Sequence, residues 1–149
     1  MAVILKFGAV LISRQISPKG AINIHRFATM SQLLDQVADV DIDDRGRFKY
    51  ILIDVKDTIN NASKQVVRGY VRAQWHADIF DEVSEQVKKH SGLKANCVGG
   101  GRIEHHPDDK LIKVYGYSQG FGKADHRVSV ELLKKKFPDY NVTWSDDGY

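Results

Sequence analysis

A histidine at the predicted junction between a strand and a helix is the side chain best placed to move a proton. His76 follows a strand predicted over residues 65–72 and precedes a helix predicted over residues 78–90. Backbone N–H groups at a helix start disfavour a protonated imidazole, which keeps the ring neutral near pH 7. A neutral imidazole can act as a general base. On the residues alone, however, a purely structural hydrogen-bonding role at the helix end is the commoner alternative.

A loop that contains glycine follows another predicted strand and carries groups that can hold an anion. Ser118, Gln119 and Gly120 lie in this loop, between Tyr117 and Gly122. Such a loop can turn its backbone N–H groups toward an anion while the serine hydroxyl assists. An ordinary connection between a strand and a helix explains the same pattern and is more frequent.

Three cationic side chains lie within predicted strands, where a solvated sheet face is the default explanation. These are Lys49, Arg68 and Arg102. Together with His76 and the loop, they can instead converge on a phosphoryl group, which prefers cations and charge-assisted hydrogen bonds. Composition does not distinguish a solvated face from a phosphoryl site.

The residues from Cys97 to Arg102 come close to the loop of cysteine phosphatases but do not match it. Four residues separate the cysteine from the arginine, whereas an encircling phosphate loop of that class needs one more. The three glycines between them indicate instead a β-bulge or a close backbone approach within a strand. We therefore interpret Cys97 as a small apolar residue of the interior.

The sequence predicts neither a metal site nor a cofactor. With Cys97 as the single cysteine, a zinc site of four cysteines and an intrachain disulfide are both excluded. His105 and His106 are neighbours, and neighbouring side chains on a strand point to opposite faces. The loop after residue 116 departs from the nucleotide P-loop in spacing, and no Gly-x-Ser-x-Gly elbow is present.

Charge separates an N-terminal segment from the rest of the chain. The net charge is +3, and residues 1–34 hold four cations and no acid. We predict a poorly ordered basic extension over residues 1–38, either a mitochondrial presequence or the product of an upstream start, since Met30 can begin a shorter form. Its apolar run is too short for a membrane span. The remainder is nearly neutral, which argues against nucleic-acid binding.

Hydrophobic patterning predicts one domain over residues 39–149. Residues 39–46 are interpreted as an acidic lead-in and turn. The order strand, strand, helix, strand, strand, helix, strand predicts an α/β (α+β) domain with a mixed β-sheet flanked by two helices. The strands are predicted over residues 48–56, 65–72, 94–104, 110–117 and 140–145, and the helices over residues 78–90 and 126–136.

Seven ordered stretches between Asp39 and Tyr149 resemble one known family. They are Asp39-Val-Asp-Ile-Asp43, Phe48-Lys49-Tyr50, Val67-Arg68-Gly69-Tyr70, His76-Ala77-Asp78-Ile79, Gly99-Gly-Gly-Arg102-Ile103, Val114-Tyr115-Gly116-Tyr117-Ser118 and the segment from Pro138 to Tyr149. The sequence is similar there to the small phosphohistidine phosphatases, a family that includes the sex-regulated janus proteins of insects. Its extended N terminus resembles that of janus-A-like members.

The resemblance implies metal-independent hydrolysis of the phosphoramidate bond of phosphohistidine in proteins. It implies that His76 is the general base and that Lys49 contacts the substrate. It places Ser118, Gln119 and Gly120 in the loop that holds the phosphoryl oxygens, and Arg68 and Arg102 near the pocket. Two departures from the family are Trp75, where tyrosine is frequent, and Gln119-Gly120, where the mammalian form has Met-Ala. Binding through backbone N–H groups would tolerate the second change.

Other interpretations remain open at this point. His76 can act as a nucleophile that forms a transient phospho-enzyme instead of as a base. The protein can also be a non-catalytic phosphoprotein-binding regulator of somatic sex differentiation, or a nucleic-acid-binding module that uses the basic extension. For the enzyme we expect phosphohistidine-containing proteins as partners, a monomer and a cytoplasmic location, with mitochondrial targeting of the long form as the alternative.

Overall fold

The computed structural model of the protein describes residues 32–149. The extension predicted over residues 1–38 therefore lies, up to residue 31, outside the described residues. A helical turn over residues 32–35 precedes the first strand, and a 3-10 turn over Pro107–Asp109 joins two later strands. The other elements are β1 (Val40–Ile42), β2 (Gly46–Asp57), β3 (Ala62–Tyr70), α1 (His76–Lys88), β4 (Leu93–His106), β5 (Leu111–Tyr115), α2 (His126–Lys136) and β6 (Asn141–Trp144).

The strands form one mixed sheet in the order β1-β3-β2-β4-β5-β6. The four central strands pair antiparallel. The two outer strands, β1 and β6, pair parallel with β3 and β5. The predicted α/β (α+β) domain, with a mixed β-sheet flanked by two helices, is confirmed. None of the helices among residues 32–149 is both long and apolar enough to cross a membrane.

The prediction for residues 39–46 was wrong where β1 forms. Val40 pairs with Val67, and Ile42 pairs with Gly69. Acidic residues alternate with the apolar ones in this stretch, and aspartate is depleted in strands. Pairing with β3 overrides that local preference. The Tyr70 hydroxyl also donates to Asp41, over 2.7 Å.

Each helix buries one apolar face on opposite sides of the sheet. In β2, alternate side chains face opposite ways: Ile51 and Ile53 pack on the α1 side, with Leu34 and Val37 from the segment before β1. Leu52 packs on the α2 side. These two apolar clusters fix where each helix starts relative to the strands.

The start of α1 differs from the sequence-based prediction in a way that matters for His76. The helix was predicted from residue 78 and begins at His76. The Asp78 carboxylate accepts a hydrogen bond of 2.8 Å from the Trp75 N–H, and the Asp78 N–H donates back to the Trp75 carbonyl over 3.2 Å. This reciprocal capping stabilises the first turn. Ile79, which is fully buried, anchors the same turn on the sheet.

Candidate active site

The imidazole of His76 is buried at the first position of α1 and is held by β4. Its Nε2 lies 2.9 Å from the Gly101 carbonyl oxygen. Because a carbonyl only accepts, the neutral ring carries its hydrogen on Nε2 and leaves Nδ1 with a lone pair. Nδ1 makes no hydrogen bond to any residue from 32 to 149. Every buried side-chain nitrogen in that part of the chain has a hydrogen-bond partner, so Nδ1 is not one of the buried atoms. Nδ1 therefore keeps access to solvent and can accept a proton.

The surroundings of His76 favour its neutral form. Burial lowers the pKa of His76 below 6.5, and the charges of Lys49 and Arg102 lower it further. The hydrogen bond to Gly101 opposes these effects without cancelling them. The ring is therefore a neutral base near pH 7.

Two cations lie beside this histidine on adjacent strands. Lys49 on β2 and Arg102 on β4 are direct partners across the antiparallel pair, so their side chains emerge on the same face. Like charges directly opposite each other destabilise a sheet. Neither forms an ion pair with a carboxylate in the described part of the chain. Two unpaired cations in such register create a site whose natural ligand is an anion.

The loop after β5 closes a tight turn that exposes backbone donors. The Ser118 N–H donates to the Gly122 carbonyl over 3.1 Å, and the Gly122 N–H donates back over 2.8 Å. The Phe121 N–H donates to Ser118 Oγ over 3.1 Å. The backbone N–H groups of Gln119 and Gly120 donate to no acceptor among residues 32–149. Successive free N–H groups in a turn form a binding concavity for an anion.

The glycines of β4 bring the histidine and the loop together. A Cβ added at Gly100 would lie 2.8 Å from Cδ2 of His76 and 3.1 Å from Cβ of Ser118, so both side chains rest on its bare backbone. The register between β2 and β4 shifts beside Leu52, where Val98 is the extra residue. Both expectations for the glycine run, a bulge and a close backbone approach, are confirmed.

These groups line one cavity of about 480 Å³. Six of the seven residues singled out from the sequence are among them. No Asp or Glu residue of the described chain lines this cavity. The lining residues are Lys49, Trp75, His76, Ala77, Arg102, Tyr117, Ser118, Gln119, Gly120, Phe121 and Tyr149.

Arg68 lies elsewhere. It pairs with Ile51 of β2 and therefore lies on the same face of the sheet as Lys49. However, Arg68 is on β3, which flanks β2 on the side opposite to β4, where Arg102 lies. Its guanidinium donates to the carbonyls of Val67, over 2.9 Å, and Ala38, over 2.7 Å. It lines a separate cleft beside the C-terminal half of α1. Arg68 thus fastens the segment before β1 to the sheet.

We expect the substitution Arg68→Met to lower stability and to leave anion binding in the cavity intact. Arg68 is only 5% exposed, and hydrogen bonds to a charged group contribute about 1.5–3 kcal/mol. Urea unfolding should therefore show a loss of about 1–3 kcal/mol. Binding of inorganic phosphate, measured by titration calorimetry at a temperature where the variant is folded, should match that of the wild type. Weaker phosphate binding with unchanged stability would place Arg68 in the site after all.

Two features of the cavity had no predicted role. Trp75 and Tyr149 are 61% and 58% exposed and form part of its wall. Tyr149 follows β6, in a stretch with no periodic pattern, so no sequence signal connected it to the site. Among residues 32–149, no group of three or more His, Cys, Asp or Glu side chains is arranged to hold a metal ion.

Comparison with known proteins identifies similar chains. A model of the Janus/Ocnus family (Ocnus) matches residues 34–141. The chain is 52% identical over 121 residues to the 14 kDa phosphohistidine phosphatase of Sus scrofa, covering 78% of this chain and 95% of that protein. For the Homo sapiens protein of that name, identity is 50% over 118 residues, with 76% and 94% covered. For the sex-regulated protein janus-A of Drosophila melanogaster, it is 50% over 135 residues, with 91% and 97% covered.

Proposed function

The chain belongs to the Janus/Ocnus family, and from that premise we propose that it is a protein phosphohistidine phosphatase. It hydrolyses the phosphoramidate bond of phosphohistidine without a metal ion. One observation carries the proposal: a neutral imidazole with a free Nδ1 shares a cavity with two unpaired cations and two free backbone N–H groups. Two relatives that carry this activity in their names support it.

The residues divide into those that hold the phosphoryl group and one that moves a proton. The N–H groups of Gln119 and Gly120, the Ser118 hydroxyl and the Lys49 ammonium bind the phosphoryl oxygens. His76 Nδ1 takes a proton from a water molecule as its oxygen bonds to phosphorus. The P–N bond breaks, and the substrate imidazole leaves with its electron pair and takes up a proton from solvent water. His76 then returns its proton to solvent. Positioning and charge stabilisation carry most of phosphoryl-transfer catalysis. Because the P–N bond of phosphohistidine is already labile, its hydrolysis needs little further assistance.

The proposal of a metal-independent reaction rests on the chemistry of the cavity wall. In protein sites Mg²⁺ is usually held by Asp or Glu carboxylates, and no Asp or Glu among residues 32–149 lines the cavity. Cations and N–H donors supply the charge stabilisation instead. The decisive experiment is the release of inorganic phosphate from a phosphohistidine peptide with EDTA present. Undiminished turnover supports the proposal, and an inactive wild type contradicts it.

A competing mechanism uses the same Nδ1 as a nucleophile. The phosphoryl group would then pass to His76 before water removes it. Rapid quenching with a ³²P-labelled substrate distinguishes the two routes, because only the nucleophilic route leaves label on His76.

A second candidate function is favoured by the janus-A relatives, which cover 91% of the chain. In that case the protein binds phosphoproteins as a regulator in somatic sex differentiation and does not turn them over. It would show affinity for phosphate without release of product, which the EDTA assay distinguishes from the phosphatase.

The pH dependence of hydrolysis should reflect the depressed pKa of His76. Only the neutral ring accepts a proton, so kcat/KM rises with pH through that pKa and then levels off. We expect the midpoint of the acid limb below 6.5, the ordinary histidine value. The profile is measured from about pH 5 to 8 after subtraction of the uncatalysed rate. A midpoint at or above the ordinary value would contradict a buried, cation-flanked base.

A further inference from the structure

Tyr149 contacts both parts of the anion-binding machinery. Its hydroxyl accepts a hydrogen bond from the Tyr117 N–H over 3.2 Å and donates to the Tyr117 carbonyl. Tyr117 directly precedes Ser118, where the turn with the free N–H groups begins. The hydroxyl therefore holds both backbone polar groups of the residue that leads into that turn.

The ring of the same tyrosine supports the Arg102 guanidinium. The guanidinium carbon lies 4.5 Å from the ring centre, within the range of a cation–π interaction. Arg102 has no carboxylate partner in the described part of the chain. A long cationic side chain without a partner samples several rotamers, so the ring restricts where Arg102 can place its charge.

The position of Tyr149 is itself well determined. The segment after β6 continues the pairing with β5: the Ser145 N–H donates to Val114 and the Gly116 N–H donates to Asp147, over 3.0 and 3.1 Å. Gly116 has a φ of +74°, and a Cβ there would lie 2.6 Å from Cε1 of Tyr149. The tyrosine ring thus lies directly on a backbone that carries no side chain.

From these contacts we infer that Tyr149 is a positioning residue for the phosphoryl site. Its ring holds Arg102 toward the cavity, and its hydroxyl fixes the start of the Ser118–Gly122 turn. The inference deepens the proposed function and rests on it for the identity of the substrate. The anion-binding part can be tested with inorganic phosphate alone, whether or not the protein turns over phosphohistidine.

The two roles separate in a pair of substitutions. Tyr149→Phe keeps the ring and loses the hydroxyl, whereas Tyr149→Leu loses both. We expect Tyr149→Phe to weaken inorganic phosphate binding about threefold through the lost hydrogen bonds. Tyr149→Leu should weaken it by a further factor of about three to five through the lost cation–π contact. Titration calorimetry measures both, and Tyr140→Phe, a tyrosine outside the cavity, is the matched control.

A double-mutant cycle assigns the ring effect to Arg102. In an Arg102→Gln background, the difference between Tyr149→Leu and Tyr149→Phe should vanish, while the effect of Tyr149→Phe should persist. NMR titration of His76 gives a second readout: Tyr149→Leu should move its pKa in the direction that Arg102→Gln does, and Tyr149→Phe should not. Thermal unfolding verifies that each variant is folded.

Two results would overturn the inference. One is phosphate affinity equal to wild type in Tyr149→Phe, which alters the fold least. The other is a Leu–Phe difference that remains undiminished without Arg102. A wild type that binds phosphate but releases none from the phosphohistidine peptide would instead contradict the proposed function alone.

Discussion

Replacing His76 with alanine will lower kcat/KM on a phosphohistidine peptide by about 10²–10⁴, the usual contribution of a positioned general base. The variant loses Nδ1, the one proton acceptor that we assign to the attacking water. Lys49, Arg102 and the free N–H groups remain, so inorganic phosphate should still bind with nearly unchanged affinity. Steady-state assays with EDTA and phosphate titration together measure the two effects.

His106→Ala is the matched control for this substitution. His106 is exposed on β4 outside the cavity, and its loss should leave the rate unchanged. His76→Ala also removes the donor to the Gly101 carbonyl, so urea unfolding must show that the variant is folded under assay conditions. A folded His76→Ala variant with the rate of the wild type would refute the assigned role.

Substituting Lys49 with glutamine should have the next largest effect, a loss of about 10²–10³ in kcat/KM, typical of removing one preorganised donor to a developing oxyanion. Lys49 faces the cavity and has no carboxylate partner within residues 32–149. Its charge also lowers the pKa of His76. Without it that pKa rises, so the acid limb of the rate profile should move to higher pH.

Lys56→Gln provides the comparison on the same strand, because Lys56 is exposed and outside the cavity. It removes the same charge from the protein, so a purely global charge effect would appear in both variants. An unshifted acid limb in Lys49→Gln would mean that the ammonium does not act on His76. An unchanged rate would mean that it does not act on the substrate.

The central strands and α1 could be predicted from local sequence patterns, whereas the edge strand β1 could not. Ile79, Val83 and Val87 recur at four-residue intervals, which predicts α1, and runs of aromatic and β-branched residues predict the central strands. The short strand Val40–Ile42 was missed because its aspartates disfavour a strand and its pairing partner is distant in sequence. The start of α1 was missed because Trp75 is an unusual residue at that position, and its backbone supplies the cap.

The site residues that could not be predicted from the sequence likewise depend on pairing between distant strands. His76 and the Ser118 loop carry their own local signals, and the family resemblance connected them with Lys49. Arg68 and Arg102 both lie on strands, and nothing local indicates which strand neighbours which. The parallel pairing of β1 with β3 gives Arg68 a different set of contacts. Tyr149 reaches the cavity only through the continuation of the β5–β6 pairing, which no local pattern reveals.

The extra residue at Val98 determines the face of the sheet on which the Arg102 side chain lies. Between Asp57 and Ile53, β2 and β4 keep one register, and beyond the bulge β4 is advanced by one position. In an uninterrupted ladder, Lys49 would face Gly101, and Arg102 would turn toward the apolar α2 side. One extra residue thus reverses the sheet face that each residue of β4 after Val98 occupies. The positive charge of the cavity depends on that reversal.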